Sequence, residues 1–412
     1  MPAQPLAATG PSDPVLSTLS RLVASRPPRT TWQVKASTLC NLRCRYCYEW
    51  DRLADRRRMT LAQWRHVLEA VREHRRLRRA ETGGPVVTTV VWHGGEPLLH
   101  PPGYAREVLA LQREVLTDGT PPAGAVRNGV QTNLTRMGET LEVLIDAGFF
   151  FSVSTDFAGG ARLDGAGCDV GAGVEANLRD LLRRGVPVGV AVVLGRHNRH
   201  RLAAIHDRVE RLGARWLRVN PMLPPPRGVP DDGLHLSAVE SRKALEGLFD
   251  HWIARGVRLP VQPLARALRT ALRRRMGLPA PARPRDDVRF VVHPDGTVAV
   301  QGGTAEPTHR LGNLFERPIH ELLDSEGARG AHQSAQRLRA RHCVRCDHVD
   351  ACDGRPVLDH PGVLPEGPCP IDSRLCARAD RFLDAVGIQG TTSRNIPTRS
   401  GPTPTPPWRS RP

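Results

Sequence analysis

The apolar positions of this chain repeat with two alternating periods. Short runs rich in Val, Phe, Trp and Thr occupy 31–36, 86–92, 125–131, 149–155, 188–194 and 216–219. Each is followed by a turn signal or by a helical stripe, the pattern of strands that alternate with helices. The best-marked helix begins after Met59. Thr60 and Gln63 have capping-box spacing, and Leu61, Trp64, Val67, Leu68 and Val71 fall on one face at the helical period. Further helices are expected at 138–147, 174–184 and 199–212. Six strands alternating with helices predict parallel βα units whose ligands bind at the C-terminal ends of the strands.

The segment PMLPPPRGVP (221–230) interrupts this rhythm, as a linker would. Helices are expected again over 237–255 and 261–275, then a second Pro-rich break at 279–284. From Val288 the texture changes. VRFVVHPDGTVAV reads as a hairpin turning at Pro294-Asp295-Gly296, and a loop-rich, cysteine-bearing stretch runs on to Arg381. There is no internal repeat.

Composition narrows the class. Of the 412 residues, 40% are hydrophobic and 25% charged, which describes a soluble globular protein. No apolar run approaches the roughly eighteen residues of a membrane span, and the N-terminus lacks a secretory signal. A cytoplasmic protein with no membrane partner is therefore expected. The 59 Lys+Arg exceed the 42 Asp+Glu, but all except Lys35 and Lys243 are arginine and they are spread along the chain. With aromatics at 4%, this argues for codon bias and against a nucleic-acid reader, which gathers its charge into a stripe.

The nine cysteines decide more. Eight form two tight groups, Cys40, Cys44, Cys47 and Cys343, Cys346, Cys352, Cys369, Cys376, while Cys168 stands alone. An odd count at short spacings, without an export signal, favours metal or iron–sulfur ligation over disulfides. The first group has C-x3-C-x2-C spacing directly after the first strand. Three thiolates on a four-iron cluster leave one iron without a protein ligand, as a reactive centre needs. A structural zinc site would want a fourth ligand, and the closest histidine, His66, lies within the capped helix.

At these residues the sequence resembles the radical S-adenosylmethionine (SAM) superfamily, with Tyr46 as the aromatic before the last cysteine. Gly94-Gly95-Glu96-Pro97 after the second strand is similar to the family's GGE motif. Gln131-Thr132-Asn133 and Ser154-Thr155-Asp156 close the third and fourth strands as their family counterparts do. The resemblance covers 31–225 and implies a partial (β/α)6 barrel, a 4Fe–4S cluster with an open iron site, and SAM cleaved reductively to a 5′-deoxyadenosyl radical. By position it implies cofactor contacts at Tyr46, Gly94, Gly95, Glu96, Gln131, Asn133 and Ser154. The two glycines would let backbone approach the ligand, and Glu96 would pair with an ammonium group. The family's His-Asp-x-x-Arg stretch is replaced by GGARLDGAG, leaving Arg162 as a stand-in for the arginine that holds the SAM carboxylate.

Cys343-x2-Cys346-x5-Cys352 resembles the core of a SPASM domain, the C-terminal extension of radical SAM enzymes that modify peptides and proteins. The full pattern needs seven or eight cysteines for two auxiliary clusters; five are present. Gln301 and Pro356 stand where further cysteines are expected, and all the losses belong to the inner cluster. The resemblance thus implies one auxiliary 4Fe–4S cluster, held by Cys343, Cys346, Cys352 and either Cys369 or Cys376, with zinc as the alternative metal. Gly302 stands where sulfatase-maturing relatives have a general-base aspartate, which argues against that activity. Cys168, in a Gly-rich stretch, reads as a free thiol or as a radical relay.

The resulting expectation is an α/β enzyme. A flexible leader (1–29), the partial barrel (30–225), a helical linker region (226–287), a SPASM-like domain (288–385) and a disordered Pro/Arg tail (386–412) follow in order. Its substrate would be a ribosomally made precursor peptide, cross-linked, given a thioether or epimerised, with flavodoxin or ferredoxin as electron donor. The alternatives are a dehydrogenase acting on a small natural-product intermediate, and a non-catalytic iron–sulfur or zinc protein.

Overall fold

A computed structural model describes residues 19, 27–116, 126–222, 233–279, 287–300, 310–352, 369 and 373–388. Ten strands form one sheet: β1 (Arg29–Ser37), β2 (Val87–Gly94), β3 (Val126–Thr132), β4 (Phe150–Ser154), β5 (Val188–Leu194), β6 (Leu217–Pro221), β7 (Val261–Gln262), β8 (Asp287–Val292), β9 (Thr297–Val300) and β10 (Arg310–Asn313). Their spatial order is β10-β9-β8-β1-β2-β3-β4-β5-β6-β7. β1 to β7 are parallel neighbours in chain order, the arrangement of an unclosed barrel.

Alternation explains the two faces. Trp32, Val34 and Ala36, Val90 and Trp92, Val130, Phe151 and Val153, and Leu217 and Val219 are buried against the helices. Residues one position out of phase, Thr31, Gln33, Thr89, Val91, Gln131, Ser152, Ser154 and Asn220, are half-buried on the inner face. Two glycines on that face make room for aromatic rings. A Cβ on Gly129 would lie 2.2 Å from the Phe150 ring, and one on Gly189 would lie 1.8 Å from Trp216. Those rings meet edge to face at 5.9 Å.

The helical layer comprises α1 (Leu61–Thr82), α2 (Pro102–Leu116), α3 (Glu139–Asp146), α4 (Gly171–Arg183), α5 (Leu202–Arg211), α6 (Ala238–Ala254) and α7 (Leu264–Arg275). α1 carries the expected capping box, Gln63 N–H to Thr60 Oγ1 at 3.2 Å and Thr60 N–H to Gln63 Oε1 at 2.8 Å. It ends at Gly83, whose φ of 64° is the left-handed stop. Trp64, Val67, Leu68 and Val71 form its buried face, whereas Leu61 is exposed. A helix expected over 261–275 instead opens with the two residues of β7, which extend the sheet, and α7 starts at Leu264.

Two further findings concern the C-terminal part. The 288–300 hairpin forms as expected, but β8 pairs in parallel with β1, so the sheet continues from the barrel into this region without a break. The region is also more helical than its sequence suggests: α8 (Ile319–Leu323), α9 (Glu326–Cys343) and α10 (Ser373–Ala385) follow. Arg275 of α7 clamps α10, donating to Asp380 Oδ1 at 3.0 Å, Asp384 Oδ1 at 2.6 Å and the Ile388 carbonyl at 2.7 Å. Leu19, within the expected leader, is fully buried in the core. The expected tail beyond 388, Gln301, Gly302 and Pro356 lie outside the described residues. Among the described residues no helix is long and apolar enough to cross a membrane.

Candidate active site

The site is built from the chain segments that leave the C-terminal ends of β1 to β4. Cys40, Cys44 and Cys47 lie in the single loop after β1, and none is in a disulfide. The loop is pinned by backbone on three sides. Cys40 N–H donates to the Leu53 carbonyl at 3.0 Å, Arg43 N–H to Leu163 at 2.7 Å, and Arg45 N–H to Ala161 at 3.0 Å. The Gly-rich stretch after β4 is therefore a wall of the cysteine loop; the exposed Cys168 sits in it. Burial, the largest influence on each thiol, raises the pKa of Cys40 and Cys44 and pushes Cys47 up to about 11. Such thiols stay protonated until a metal displaces the protons.

The GGE turn serves this loop directly. A Cβ on Gly95 would lie 2.1 Å from the Leu39 carbonyl oxygen and 2.2 Å from that of Thr38. Gly95 N–H donates to Ser37 at 3.1 Å and Glu96 N–H to Leu39 at 2.8 Å. The close backbone approach that the glycines permit is thus to the cysteine loop itself. Gly94, at φ 109°, is equally constrained, since its Cβ would meet Ser37 O at 2.0 Å. Glu96 is buried and knits two strand ends together. Its Oε1 accepts from Leu98 N–H at 2.9 Å and Thr132 Oγ1 at 2.7 Å, and its Oε2 from Asn133 N–H at 2.6 Å. Burial raises its pKa against the pull of those donors. Asn133 Nδ2 in turn lies 3.8 Å from Cys40 Sγ and 3.0 Å from Asn41 Oδ1, so Glu96 acts on the cysteine loop through Asn133. Gln131 Nε2 reaches Ser154 Oγ at 3.4 Å, which places both side chains together on the inner face.

Tyr46 and Arg162 meet where the sequence places one near adenine and the other near a carboxylate. The Tyr46 hydroxyl donates to Asp156 Oδ2 at 2.6 Å and accepts from Arg162 Nη1 at 2.9 Å. His197 Nε2 lies 3.3 Å from the same carboxylate oxygen, and its ring stacks on Tyr46 at 6.1 Å. Burial works against the Arg162 charge, but Tyr46, Cys44 and Asp156 around it raise its pKa overall. Its Nε is buried without a partner. Leu134 at φ 53° and Phe157 at φ 48°, both just past strand ends at this site, hold left-handed backbone that costs on the order of 1 kcal/mol each.

Lys35, Asp156 and His197 were not singled out as site residues by the sequence reading. Lys35 is fully buried at the end of β1, 2.5 Å from Glu49 Oε1 and 5.0 Å from the centre of the Tyr48 ring. It ties the far side of the cysteine loop to the strand. One signal was present: in a chain that uses arginine almost throughout, a lysine marks a place where a compact ammonium fits.

The second cysteine group also converges. Cys343 ends α9, Cys346 and Cys352 follow in turns, and Cys376 lies on the buried face of α10. Burial first, then the neighbouring Cys352, Cys346 and Cys369, raises the Cys376 thiol pKa far above its ordinary value. Cys369 and Cys376 are thus on the same side as Cys346 and Cys352. His348, buried between Cys346 and Cys352 with its Nδ1 unpartnered, is a residue that sequence spacing did not single out.

The model of the radical SAM superfamily matches residues 34–209, which contain every element just described around the first cysteine group. The chain carries a radical SAM domain and is an enzyme. It is 26% identical over 360 residues to a serine-type anaerobic sulfatase-maturating enzyme of Klebsiella aerogenes, covering 84% of this chain and 82% of that one. Among solved structures, anSMEcpe with bound AdoMet and Cp18Cys peptide superposes with a TM-score of 0.65 at 18% identity, over 87% of this chain and 96% of that chain. Streptococcus suis SuiB bound to precursor peptide SuiA gives 0.54 at 14% identity, over 88% and 79%. Its cofactors are accordingly an iron–sulfur cluster and SAM. The residues present fit them: three unpaired thiols in one loop, a buried guanidinium with a free donor beside Cys44, and polar side chains on the adjoining inner face.

Proposed function

We propose that this enzyme modifies a ribosomally synthesised precursor peptide, by hydrogen abstraction followed by a cross-link, a thioether or an epimerisation. Cys40, Cys44 and Cys47 would hold the cluster, and its open iron would bind SAM and supply the radical. Gly95, Gln131, Asn133 and Ser154 would contact SAM, Glu96 would receive its ammonium group, and Arg162 would offer Nε to its carboxylate. Tyr46 holds Arg162 in place while Asp156 fixes Tyr46, so this network orients the cofactor and carries no chemistry itself.

The observation that carries the peptide reading is the open inner face of the sheet. Thr31, Gln33, Thr89, Gln131, Ser152, Ser154 and Asn220 line it half-buried across β1 to β4 and at β6, while β5 is buried apart from Val193; an extended chain would lie along this polar row. Small-molecule sites are by contrast concave and bury most of the ligand. The named peptide complexes of anSMEcpe and SuiB favour the same class of substrate. Gly302, where a base aspartate would stand, favours a modification other than sulfatase maturation. One auxiliary cluster in the second cysteine group, and flavodoxin or ferredoxin as donor, complete the proposal.

The test is anaerobic reconstitution with iron and sulfide, iron counting and a SAM-cleavage assay, followed by incubation with a synthetic peptide from any short open reading frame found beside the gene. About eight irons per chain are expected, falling to about four in the Cys40→Ala/Cys44→Ala/Cys47→Ala protein with loss of 5′-deoxyadenosine. A mass change in the peptide that needs SAM supports the reading. SAM cleavage stimulated by a small natural-product intermediate, with the peptide unchanged, would move the assignment to a dehydrogenase.

A further inference from the structure

The helical layer holds a set of metal-competent donors remote in sequence from both cysteine groups. His206 and Asp207 lie on α5 and His251 on α6, and one donor atom from each lies within 4.8 Å of the other two. His251 Nε2 is 2.7 Å from Asp207 Oδ1, and His206 Nδ1 is 3.3 Å from the same oxygen. The two imidazole rings stand 82° apart with centres at 5.3 Å, so their nitrogens converge on the carboxylate rather than stacking.

We propose that His206, Asp207 and His251 bind one divalent transition-metal ion of the zinc class, which staples α5 to α6. Two imidazoles and a carboxylate suit zinc, cobalt or nickel; magnesium and calcium prefer oxygen donors throughout. Tetrahedral zinc, with bonds of about 2.1 Å, places its donors about 3.4 Å apart, within reach of small rotamer changes here. His206 is fully buried, so packing fixes its ring beside the Asp207 carboxylate. Its Nδ1 faces the Asp207 carboxylate, while Nε2, the other ring nitrogen, has no partner.

One cation opposes the site. Arg255 Nε lies 3.4 Å from Asp207 Oδ1. Its other end already pairs with Glu210 Oε2 at 3.1 Å, and its half-exposed side chain can withdraw onto that partner. Asp207 and His251 are each about a quarter exposed, at 28% and 25%, so water can reach the remaining coordination position. The site has a practical consequence. Zinc found in the purified enzyme would be assigned to the C-terminal cysteines, although a cysteine-free site can hold it.

The experiment compares reconstituted full-length enzyme with its His251→Ala and Asp207→Asn variants after exposure to zinc and desalting. The wild type should retain about one zinc per chain more than either variant, with iron content equal in all three. Zinc should raise the melting temperature of the wild type alone. Cobalt bound at this site should show ligand-field bands without thiolate charge transfer, and they should vanish in His251→Ala. Equal zinc in the three proteins overturns the proposal. So does zinc that disappears on changing Cys346 and Cys376 but not His251, because the metal then belongs to the cysteines.

Discussion

Replacing Gly95 by alanine tests whether the GGE turn is the support of the cysteine loop. The added Cβ would meet backbone, 2.1 Å from Leu39 O, 2.2 Å from Thr38 O and 2.4 Å from Leu39 C, so no side chain can rotate out of the way. Moving Leu39 O from 2.1 Å to the 3.0 Å below which real Cβ atoms are essentially never found requires a retreat of about 0.9 Å. The two hydrogen bonds that join the turn to the loop, at 3.1 and 2.8 Å, would then be broken. At about 1 kcal/mol each, plus the cost of leaving buried groups unpaired, the loss is roughly 2–4 kcal/mol. A displacement of about 1 Å at a reacting centre costs on the order of a hundredfold in rate. Gly103 is the control, because nothing lies within 4 Å of its added Cβ. Gly95→Ala should retain the fold by circular dichroism, load about four fewer irons per chain and cleave SAM about a hundredfold more slowly. Gly103→Ala should match the wild type. A Gly95→Ala protein with full iron content and normal SAM cleavage would refute the argument.

Three other substitutions follow from the same geometry. Tyr46→Phe removes the hydroxyl shared by Asp156 and Arg162 and should cost about 1–3 kcal/mol in urea unfolding, with SAM affinity lowered; unchanged affinity would detach this network from cofactor binding. Lys35→Met leaves the Glu49 carboxylate, 12% exposed, without its partner, and should cost up to about 3–5 kcal/mol, most of it recovered in Lys35→Met/Glu49→Leu. Failure of the double variant to recover would mean the pair is not the cause. His74, edge-on to Trp32 and Phe290, has its pKa pushed down from 6.5 to about 4, by burial first and then by Arg78. Because the unfolded chain takes up the proton first, stability should fall as pH drops from about 6.5 to about 4 and then stop responding to this group. His74→Leu should flatten that slope in urea midpoints measured against pH; an identical slope would contradict it.

What was legible in the sequence was legible for local reasons. The six barrel strands emerge because a buried face and a half-buried face alternate along each of them. The cysteine loop emerges because its ligands are within seven residues of one another. α2 was not anticipated because His100-Pro101-Pro102-Gly103 reads as a loop, although proline suits the first turn of a helix, and Pro102 is its first residue here. α9 was hidden for the opposite reason: only Ala331 is buried along its length, so no apolar stripe marks it. The pairing of β8 with β1 joins segments some 250 residues apart and leaves no local trace. The same holds for Tyr46 with Asp156 and Arg162, separated by 110 and 116 residues, whose hydrogen bonds leave no local trace either.

The two supports of the C-terminal cysteines differ in strength, and this sets what would happen on removal of the metal proposed for them. Cys376 stands on α10, whose Leu375, Ala379 and Leu383 are fully buried. That helix is also held by the Arg275 clamp and by Arg378, which reaches Asp250 Oδ1 at 2.7 Å and Glu246 Oε2 at 3.3 Å. Cys343, Cys346 and Cys352 hang from the end of α9, which buries a single alanine and is capped at its start by Ser325. Metal ligation adds stability mainly to the element that has least of its own, because binding energy is folding energy where the site is not already fixed. Chelation of the auxiliary metal should therefore speed amide exchange in the last turns of α9, while α7 and α10 keep their protection. Hydrogen-exchange mass spectrometry on the enzyme before and after chelation reads this directly. Loss of protection in α10 ahead of α9 would show that the buried face and the arginine clamp do not hold that helix, and that the metal does.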